Sequence, residues 1–224
     1  MSRKNIAVVG ANGKMGSLLC ERLKYNFNVI KITENNNLFD YIGIDLVVDF
    51  ASASSSVMSS NYCAENNVPL LVASTGQSDS QLKIITENAK IIPTMICPNL
   101  SVGVLFLKKI VSFLAGLSDF DVTIYEAHHK LKKDIPSGTA LMLKSVIENA
   151  NKNVNVNVNI LSERGGGEVG FHSVNFYLEN ECISVSHRAF SRQIFASGAE
   201  RAIEFLLNQK IPNLYTFEQI FDKN

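Results

Sequence analysis

The chain has 224 residues, of which 46% are hydrophobic and 19% are charged, as in an ordinary globular enzyme. Its 21 basic and 21 acidic side chains cancel, which excludes a general electrostatic attraction to nucleic acid or to an anionic membrane. The four cysteines lie far apart, and the sequence contains neither a signal-peptide pattern nor an apolar run of membrane length. We therefore expect reduced thiols, no metal site and a cytoplasmic location.

The first hundred residues alternate between short apolar runs and segments of helical spacing. The apolar runs predict strands at residues 6–9, 29–33, 46–50, 68–73 and 91–96. Helical periodicity predicts helices at residues 17–24, 54–66 and 80–89. Strands and helices that alternate in this way indicate an α/β fold with a Rossmann-like, doubly wound parallel sheet.

The pattern changes after residue 100. We predict a helix at residues 101–117, a strand at 121–126, a basic loop at 128–136 and a helix at 139–150. A strand of period two at 154–160 and a hairpin of 174–178 with 183–187 precede a last helix at 199–207 and a short tail. The predicted organisation is a dinucleotide-binding domain of residues 1–100 and 193–224, with an inserted α+β domain of open mixed sheet at 101–192 for substrate binding and oligomerisation.

Three glycines follow the first strand and open the first helix, at Gly10, Gly13 and Gly16. Such a turn permits the close approach of a pyrophosphate, which the free N–H groups of the helix N-terminus then bind. The spacing is GxxGxxG rather than GxGxxG, so a tight turn without a ligand is the alternative.

Glu34 follows Gly13 by 21 residues, where an acid typically binds the adenosine ribose of NAD. The alternative is that Glu34 is a solvated charge at a strand end. No arginine adjoins Glu34, which favours NADH or dual use.

The segment from Glu126 to Thr139 concentrates groups that bind acids and move protons. It holds two of the four histidines, His128 and His129, and three lysines, at positions 130, 132 and 133. Ser137, Gly138 and Thr139 stand at a helix start, where hydroxyl and N–H groups can bind a carboxylate. These residue types predict a pocket for a small carboxylate-bearing substrate with an acid nearby, and a solvated basic loop is the alternative.

The string EAHHKLKKDIPSGTA at residues 126–140 resembles the signature of the dihydrodipicolinate reductase family at every fixed position: Glu-x-His-His-x-x-Lys-x-Asp-x-Pro-Ser-Gly-Thr-Ala. VVGANGKMG resembles the opening turn of that family, CPNLSVGV its hinge segment, and RGGGEVGFHSV a run of its substrate domain. The resemblance implies reduction of 4-hydroxy-tetrahydrodipicolinate to tetrahydrodipicolinate by NADH or NADPH, with loss of water, in the diaminopimelate route of lysine biosynthesis.

The resemblance also implies roles for individual residues. His128 is the acid/base residue and Lys132 the proton donor, and the substrate carboxylates are bound by His129, Ser137, Gly138 and Thr139. The cofactor is bound by Gly10, Ala11, Asn12, Gly13, Lys14, Met15, Glu34, Ala73, Ser74, Thr75, Cys97, Pro98, Asn99 and Leu100. Members of the family are commonly homotetramers built through the sheets of the substrate domain, so we expect a homotetramer here.

Two other functions share parts of this outline. A semialdehyde or amino-acid dehydrogenase has similar domains, but a semialdehyde dehydrogenase needs a catalytic cysteine, and Cys182 is the only cysteine after residue 100. A cofactor-sensing protein without catalysis would keep the glycine turn but lose the paired histidines and Lys132, which are present. Outside the signature, we expect structural hydrogen bonds for His172 and His187, with a place in the frame of the substrate pocket as the alternative for His172. Arg192 either anchors a closed state or pairs with a surface acid.

Overall fold

The computed structural model describes residues 2–117, 121–150 and 157–222. The chain divides into two compact units, Met1–Leu100 with Gln193–Asn224, and Ser101–Arg192. Within the described residues, no helix combines the length and the apolar character needed to cross a membrane.

The first unit begins with strands and helices in alternation. In chain order they are β1 (Asn5–Val9), α1 (Lys14–Leu23), β2 (Asn28–Ile32), β3 (Leu46–Asp49), α2 (Ala53–Asn66), β4 (Leu70–Val72), α3 (Asp79–Asn88) and β5 (Pro93–Ile96). Strands β3 and β4 are buried along their whole length, which explains why their sequences are continuous apolar runs. The hydroxyls of Ser52 and Ser78 accept hydrogen bonds from the first turns of α2 and α3 and so define where these helices begin.

The second unit contains α4 (Val102–Ala115), β6 (Asp121–His128), α5 (Gly138–Ala150), β7 (Val158–Arg164), β8 (Gly170–Tyr177) and β9 (Cys182–Ala189). Its sheet has the order β7-β6-β8-β9, in which β7 runs parallel to β6 and the other two pairs are antiparallel. Apolar side chains of α4 and α5 pack on one face of this sheet in a core that includes Val111, Ile124, Leu143, Val174 and Phe176.

The chain then completes the first unit with α6 (Gln193–Leu207) and β10 (Asn213–Tyr215). All neighbouring strands of this unit are parallel, in the order β10-β5-β4-β3-β1-β2. The predicted fold class, a Rossmann-like parallel sheet with an additional mixed sheet, is confirmed.

Several boundaries differ from the prediction. Helix α6 begins at Gln193 and not at the predicted residue 199, because Gly198 lies inside the helix. A Cβ at Gly198 would lie 1.7 Å from the carbonyl oxygen of Leu100, so this glycine permits close packing and does not mark a helix boundary. Strand β10 was missed because its three residues are mostly exposed and carry no periodic signal. The predicted strand at 154–160 is β7 at Val158–Arg164, and Val154 and Val156 lie outside the described residues.

Candidate active site

The loop between β1 and α1 forms a tight turn around its glycines. Gly10 has a φ of +80°, and the N–H groups of Gly10 and Ala11 donate to the carbonyl of Ile32 at 3.0 and 3.1 Å. A Cβ at Gly16 would lie 2.1 Å from the carbonyl oxygen of Gly10, so only glycine allows α1 to start this close to the turn. The N-terminus of α1 therefore directs its unpaired N–H groups at the space beside the turn, which suits a pyrophosphate.

A cavity of about 410 Å³ opens beside this turn. Gly10, Asn12, Gly13 and Glu34, all expected from sequence to contact a dinucleotide, line it. The structure adds apolar walls that sequence reasoning missed, formed by Leu38, Phe39 and Met58. These residues lie on a 3-10 helix and on α2, where no periodic pattern signals a ligand. An apolar cleft with an acid on its wall fits the adenosine half of a dinucleotide.

The asparagine tract after β2 is ordered by its own side chains. The Asn36 Oδ1 accepts a hydrogen bond from the N–H of Thr33 at 2.7 Å. The Asn36 Nδ2 donates to the carbonyl of Lys31 and to the Tyr41 hydroxyl, both at 2.9 Å. Asn36 thus fixes the turn that carries Glu34 at the cavity wall.

A buried carboxyl group supports the same cavity from β3. One Asp49 oxygen accepts from the N–H of Ala51 and the hydroxyl of Ser55, both at 3.0 Å, and the other accepts from Ser59 at 2.9 Å. Burial raises the pKa of Asp49, against the effect of these hydrogen bonds. A Cβ at Gly10 would lie 3.0 Å from Ala51, so Asp49 holds this segment against the glycine turn. The only sequence signal was an acid at the end of an apolar strand, followed by serines.

The other expected cofactor residues divide into two groups. Lys14 and Met15 form the first turn of α1. The segments Ala73–Thr75 and Cys97–Leu100 follow β4 and β5 at the carboxyl edge of the same sheet, outside the lining of the cavity. The Ser74 hydroxyl accepts from Gln77 at 3.0 Å, and Cys97 Sγ donates to the carbonyl of Asn99 at 3.2 Å.

In the second unit, strand β6 places Glu126 and His128 side by side. The His128 Nδ1 lies 2.5 Å from Glu126 Oε2, and both side chains are buried. The Arg164 guanidinium on β7 donates to Glu126 Oε1 at 2.7 Å and to Oε2 at 3.0 Å. Burial alone would raise the pKa of Glu126, but the hydrogen bonds, first that of Arg164, lower it to about 2. Glu126 is therefore a carboxylate at neutral pH.

The two buried histidines are both held neutral. Burial lowers the pKa of His128, and Glu126 only partly opposes this effect. Burial, with the neighbouring His128, lowers the pKa of His172 to about 3. The two rings meet edge to face with centroids 5.1 Å apart. At neutral pH, His128 is therefore an imidazole that can accept a proton.

The start of α5 is fixed by Ser137, which is buried. Its hydroxyl accepts from the N–H of Ala140 at 3.2 Å and lies 3.1 Å from His172 Nε2, and its N–H donates to Glu126 at 3.3 Å. The Ser137 hydroxyl is thus engaged in capping the helix. The next residue, Gly138, is exposed, an added Cβ there would meet no described atom within 4 Å, and its backbone N–H bonds the carboxylate of Asp134 and helps to lower the pKa of that group.

The loop between β6 and α5 presents one partly buried lysine. The Lys132 Nζ lies 2.7 Å from both carboxylate oxygens of Asp134, whose pKa is lowered chiefly by this hydrogen bond. Lys130 and Lys133 are exposed. Arg164 also donates to the carbonyl of Asp134 at 2.6 Å, so the residue that holds Glu126 also holds this loop.

His129 bonds residues outside the Glu126 network. Its N–H donates to the carbonyl of Glu168 at 2.7 Å, and its Nε2 accepts from Arg192 at 3.3 Å. Arginine only donates, so Nε2 of His129 is the acceptor in this contact, and the buried Nδ1 has no hydrogen-bond partner among the described residues. Arg192, expected to pair with an acid or anchor a closed state, thus bonds His129.

Glu126, His128 and His172 offer ligand atoms within 4.8 Å of one another, a spacing that would also suit a metal ion. Arg164 already bonds both Glu126 oxygens and brings a positive charge to the same place. We therefore interpret the cluster as a proton-handling network rather than as a set of metal ligands.

Comparisons with known proteins point to one family. The sequence profile of the dihydrodipicolinate reductase N-terminus matches residues 4–100, and that of the C-terminus matches residues 103–221. The 4-hydroxy-tetrahydrodipicolinate reductase of Caldanaerobacter subterraneus subsp. tengcongensis is 34% identical over 97% of this chain and 98% of its own. That of Methanosarcina acetivorans is 34% identical over 96% and 98%. The structure of dipicolinate-bound dihydrodipicolinate reductase from Paenisporosarcina sp. TG-14 has a TM-score of 0.78 at 22% identity and covers 99% of this chain and 100% of its own.

Proposed function

The chain belongs to the dihydrodipicolinate reductase family, and we propose that it reduces 4-hydroxy-tetrahydrodipicolinate to tetrahydrodipicolinate with a reduced nicotinamide cofactor, releasing water. This reaction belongs to the diaminopimelate route of lysine biosynthesis. The observation that carries the proposal is the network around His128. The buried carboxylate of Glu126 bonds His128 and the N-terminus of α5, and its partner Arg164 bonds the loop of Lys132.

The residues of the first unit fit a pyridine nucleotide, which supplies the hydride when bound. The turn from Gly10 to Met15 and the N-terminus of α1 would hold its phosphates, and the cavity beside Phe39 and Met58 would hold its adenosine. We also assign Ala73–Thr75 and Cys97–Leu100, at the same edge of the sheet, to the cofactor.

The charge on the cavity wall favours NADH over NADPH. Glu34 is the only charged side chain among the described residues that line the cavity. Its carboxylate would accept hydrogen bonds from the ribose hydroxyls of NADH and repel the 2′-phosphate of NADPH. We therefore propose NADH as the preferred cofactor, with NADPH accepted less well.

The second unit supplies the groups for a dicarboxylate and for proton transfer. Gly138 and Thr139, at the N-terminus of α5, would bind one carboxylate of the substrate. We assign His129, the neighbour of His128, to the other carboxylate. His128 would exchange a proton with the substrate at Nε2, and Lys132 would deliver the proton that accompanies the hydride.

The open face of the mixed sheet supports assembly as a homotetramer. Tyr125 and Phe171 stack edge to face on the side opposite the core, and the exposed Leu161 of β7 lies beside Tyr125. Exposed apolar and aromatic groups are typical of surfaces that bind another subunit. A measured mass of four chains by light scattering would support this assembly, and a single-chain mass would oppose it.

The reaction is tested by following oxidation of NADH and of NADPH while a dihydrodipicolinate synthase makes the substrate in situ. The proposal expects turnover with both cofactors and a higher kcat/KM with NADH. Absence of turnover in a protein that binds NADH would contradict the proposed activity and favour a cofactor sensor or a related dehydrogenase.

A further inference from the structure

We propose that Glu126 is a positioning residue that holds neutral His128 as its Nδ1–H tautomer, so that His128 takes and gives protons only at Nε2. This inference rests on the proposed function for its catalytic consequence, but the tautomer itself can be measured in the free protein. It assigns a role to two residues outside the expected catalytic pair, Glu126 and its partner Arg164.

The first step is the hydrogen-bond inventory of the Glu126–His128 contact. An ionised carboxylate can only accept hydrogen bonds, and Glu126 is kept ionised by the two bonds from Arg164. The His128 Nδ1 lies 2.5 Å from Glu126 Oε2, so it must carry the proton that this contact needs. A neutral imidazole has one proton, so Nε2 carries a lone pair.

The second step is the environment of Nε2. An added Cβ at Gly170 would lie 3.2 Å from this nitrogen, so the glycine leaves space on that side of the ring. The His128 side chain is 9% exposed, so a ligand can reach only a small part of the ring. A nitrogen of fixed protonation in a confined space is suited to accept a proton from the substrate and return it.

The third step is the surroundings of Glu126, which leave it little freedom to turn away from His128. Arg164 bonds both of its oxygens, and the N–H of Ser137 bonds Oε1. Arg164 is held in turn by the carbonyls of Asp134 and Glu163, at 2.6 and 2.7 Å. The carboxylate is therefore fixed between three strands or loops of one unit, and the ring orientation of His128 follows from it.

The same carboxylate stabilises the imidazolium that forms when Nε2 accepts a proton. The charged groups facing His128 are Glu126 on its own strand, Arg164 on β7 and Lys132 on the loop, with His172 as a neutral neighbour on β8. Glu126 is the single negative charge among them. Removal of the Glu126 charge is expected to disfavour the protonated His128 ring, and the ring proton is then no longer confined to Nδ1.

The test is Glu126→Gln combined with 15N NMR of the histidine rings. A glutamine of the same shape can still accept from Arg164 through its oxygen, but its amide donates to His128 Nδ1 and forces the proton onto Nε2. Comparison with His128→Gln assigns the His128 signal. We expect Nδ1–H in the unaltered protein, Nε2–H in Glu126→Gln, and a kcat lowered by roughly a hundredfold or more with unchanged NADH affinity.

Glu163→Gln is the matched control, since Glu163 is an exposed acid on β7 that bonds the Tyr125 hydroxyl and not His128. It should keep both the tautomer and the turnover. The inference is overturned if the unaltered protein carries the His128 proton on Nε2, or if Glu126→Gln keeps its kcat. The spectrum of the unaltered protein decides the tautomer even if the variant does not fold. Absence of turnover in the unaltered protein would instead count against the proposed function.

Discussion

Gly170 leaves open the space beside the imidazole of His128, since an added Cβ would stand 3.2 Å from Nε2 and 3.5 Å from Cδ2. We predict that Gly170→Ala displaces the ring by a few tenths of an ångström and lowers kcat about tenfold, because proton transfer depends steeply on position. Steady-state kinetics with NADH would measure this. Gly167→Ala, where a Cβ would meet no described atom within 4 Å, should retain the kcat of the unaltered protein.

Lys132 is expected to be required for turnover and not for cofactor binding. Lys132→Met removes the ammonium group that would protonate the substrate, so kcat should fall by roughly a hundredfold or more. The Kd for NADH, measured by fluorescence titration, should not change, because the dinucleotide cavity is formed by the other unit. Lys133→Met removes an exposed neighbouring charge and should be near neutral. Equal losses in the two lysine variants would argue against a specific role for Lys132.

Glu34 should determine the preference between the two cofactors. Glu34→Gln removes the charge that repels a 2′-phosphate and weakens the bond to the ribose, so the ratio of kcat/KM for NADH to that for NADPH should fall about tenfold. Parallel kinetics with the two cofactors give this ratio directly. Glu65→Gln, an exposed acid at the end of α2, should leave it unchanged. An unchanged ratio in Glu34→Gln would exclude Glu34 from cofactor selection.

Burial of neutral His172 should make the fold sensitive to mild acid. The pKa of His172 is about 3 in the fold against an ordinary value of 6.5, so below pH 6.5 the unfolded chain binds this proton first. His172 therefore does not lower the free energy of unfolding above pH 6.5. As the pH falls from 6.5 towards 3, it lowers this free energy by up to about 1.4 kcal/mol per pH unit.

The variant His172→Gln keeps a hydrogen-bond partner for Ser137 without a titrating group. We predict that the free energy of unfolding falls less steeply between pH 6.5 and 5 in His172→Gln than in the unaltered protein, as measured by urea denaturation. Carboxylates affect both proteins alike, so they contribute little to the difference between the two slopes in this range. At pH 8, where His172 is neutral in both states, the two proteins differ only in packing. Parallel slopes between pH 6.5 and 5 would mean that His172 is not held neutral by the fold.

The sequence predicted features that depend on local chemistry. The apolar runs at 46–50 and 68–73 predicted strands, and β3 and β4 are buried along their whole length. The helix predicted at 101–117 begins where the Ser101 hydroxyl accepts from the N–H of Val104 at 3.2 Å. The glycines at 10, 13 and 16 indicated the tight turn, because a side chain at Gly16 would collide with the backbone.

Features that depend on contacts between distant residues could not be predicted. Arg164 is separated from Glu126 by 38 residues, and no local pattern indicates that it would bond that carboxylate. The three lysines of the loop suggested a cationic cluster, whereas Lys132 pairs with Asp134 and the other two are exposed. The apolar wall of Phe39 and Met58 follows from the packing of an irregular segment near α2, which periodicity does not encode.

The central claim is hydride transfer from a nicotinamide to the dicarboxylate, and isotope transfer tests it most directly. The protein would be supplied with NADH carrying deuterium at both C4 positions, with the substrate generated in situ, and the mass of the tetrahydrodipicolinate formed would be measured. The account predicts a product heavier by one deuterium in the unaltered protein and no labelled product in Lys132→Met within the same time. Unlabelled product, or no product from protein that binds NADH, would contradict it.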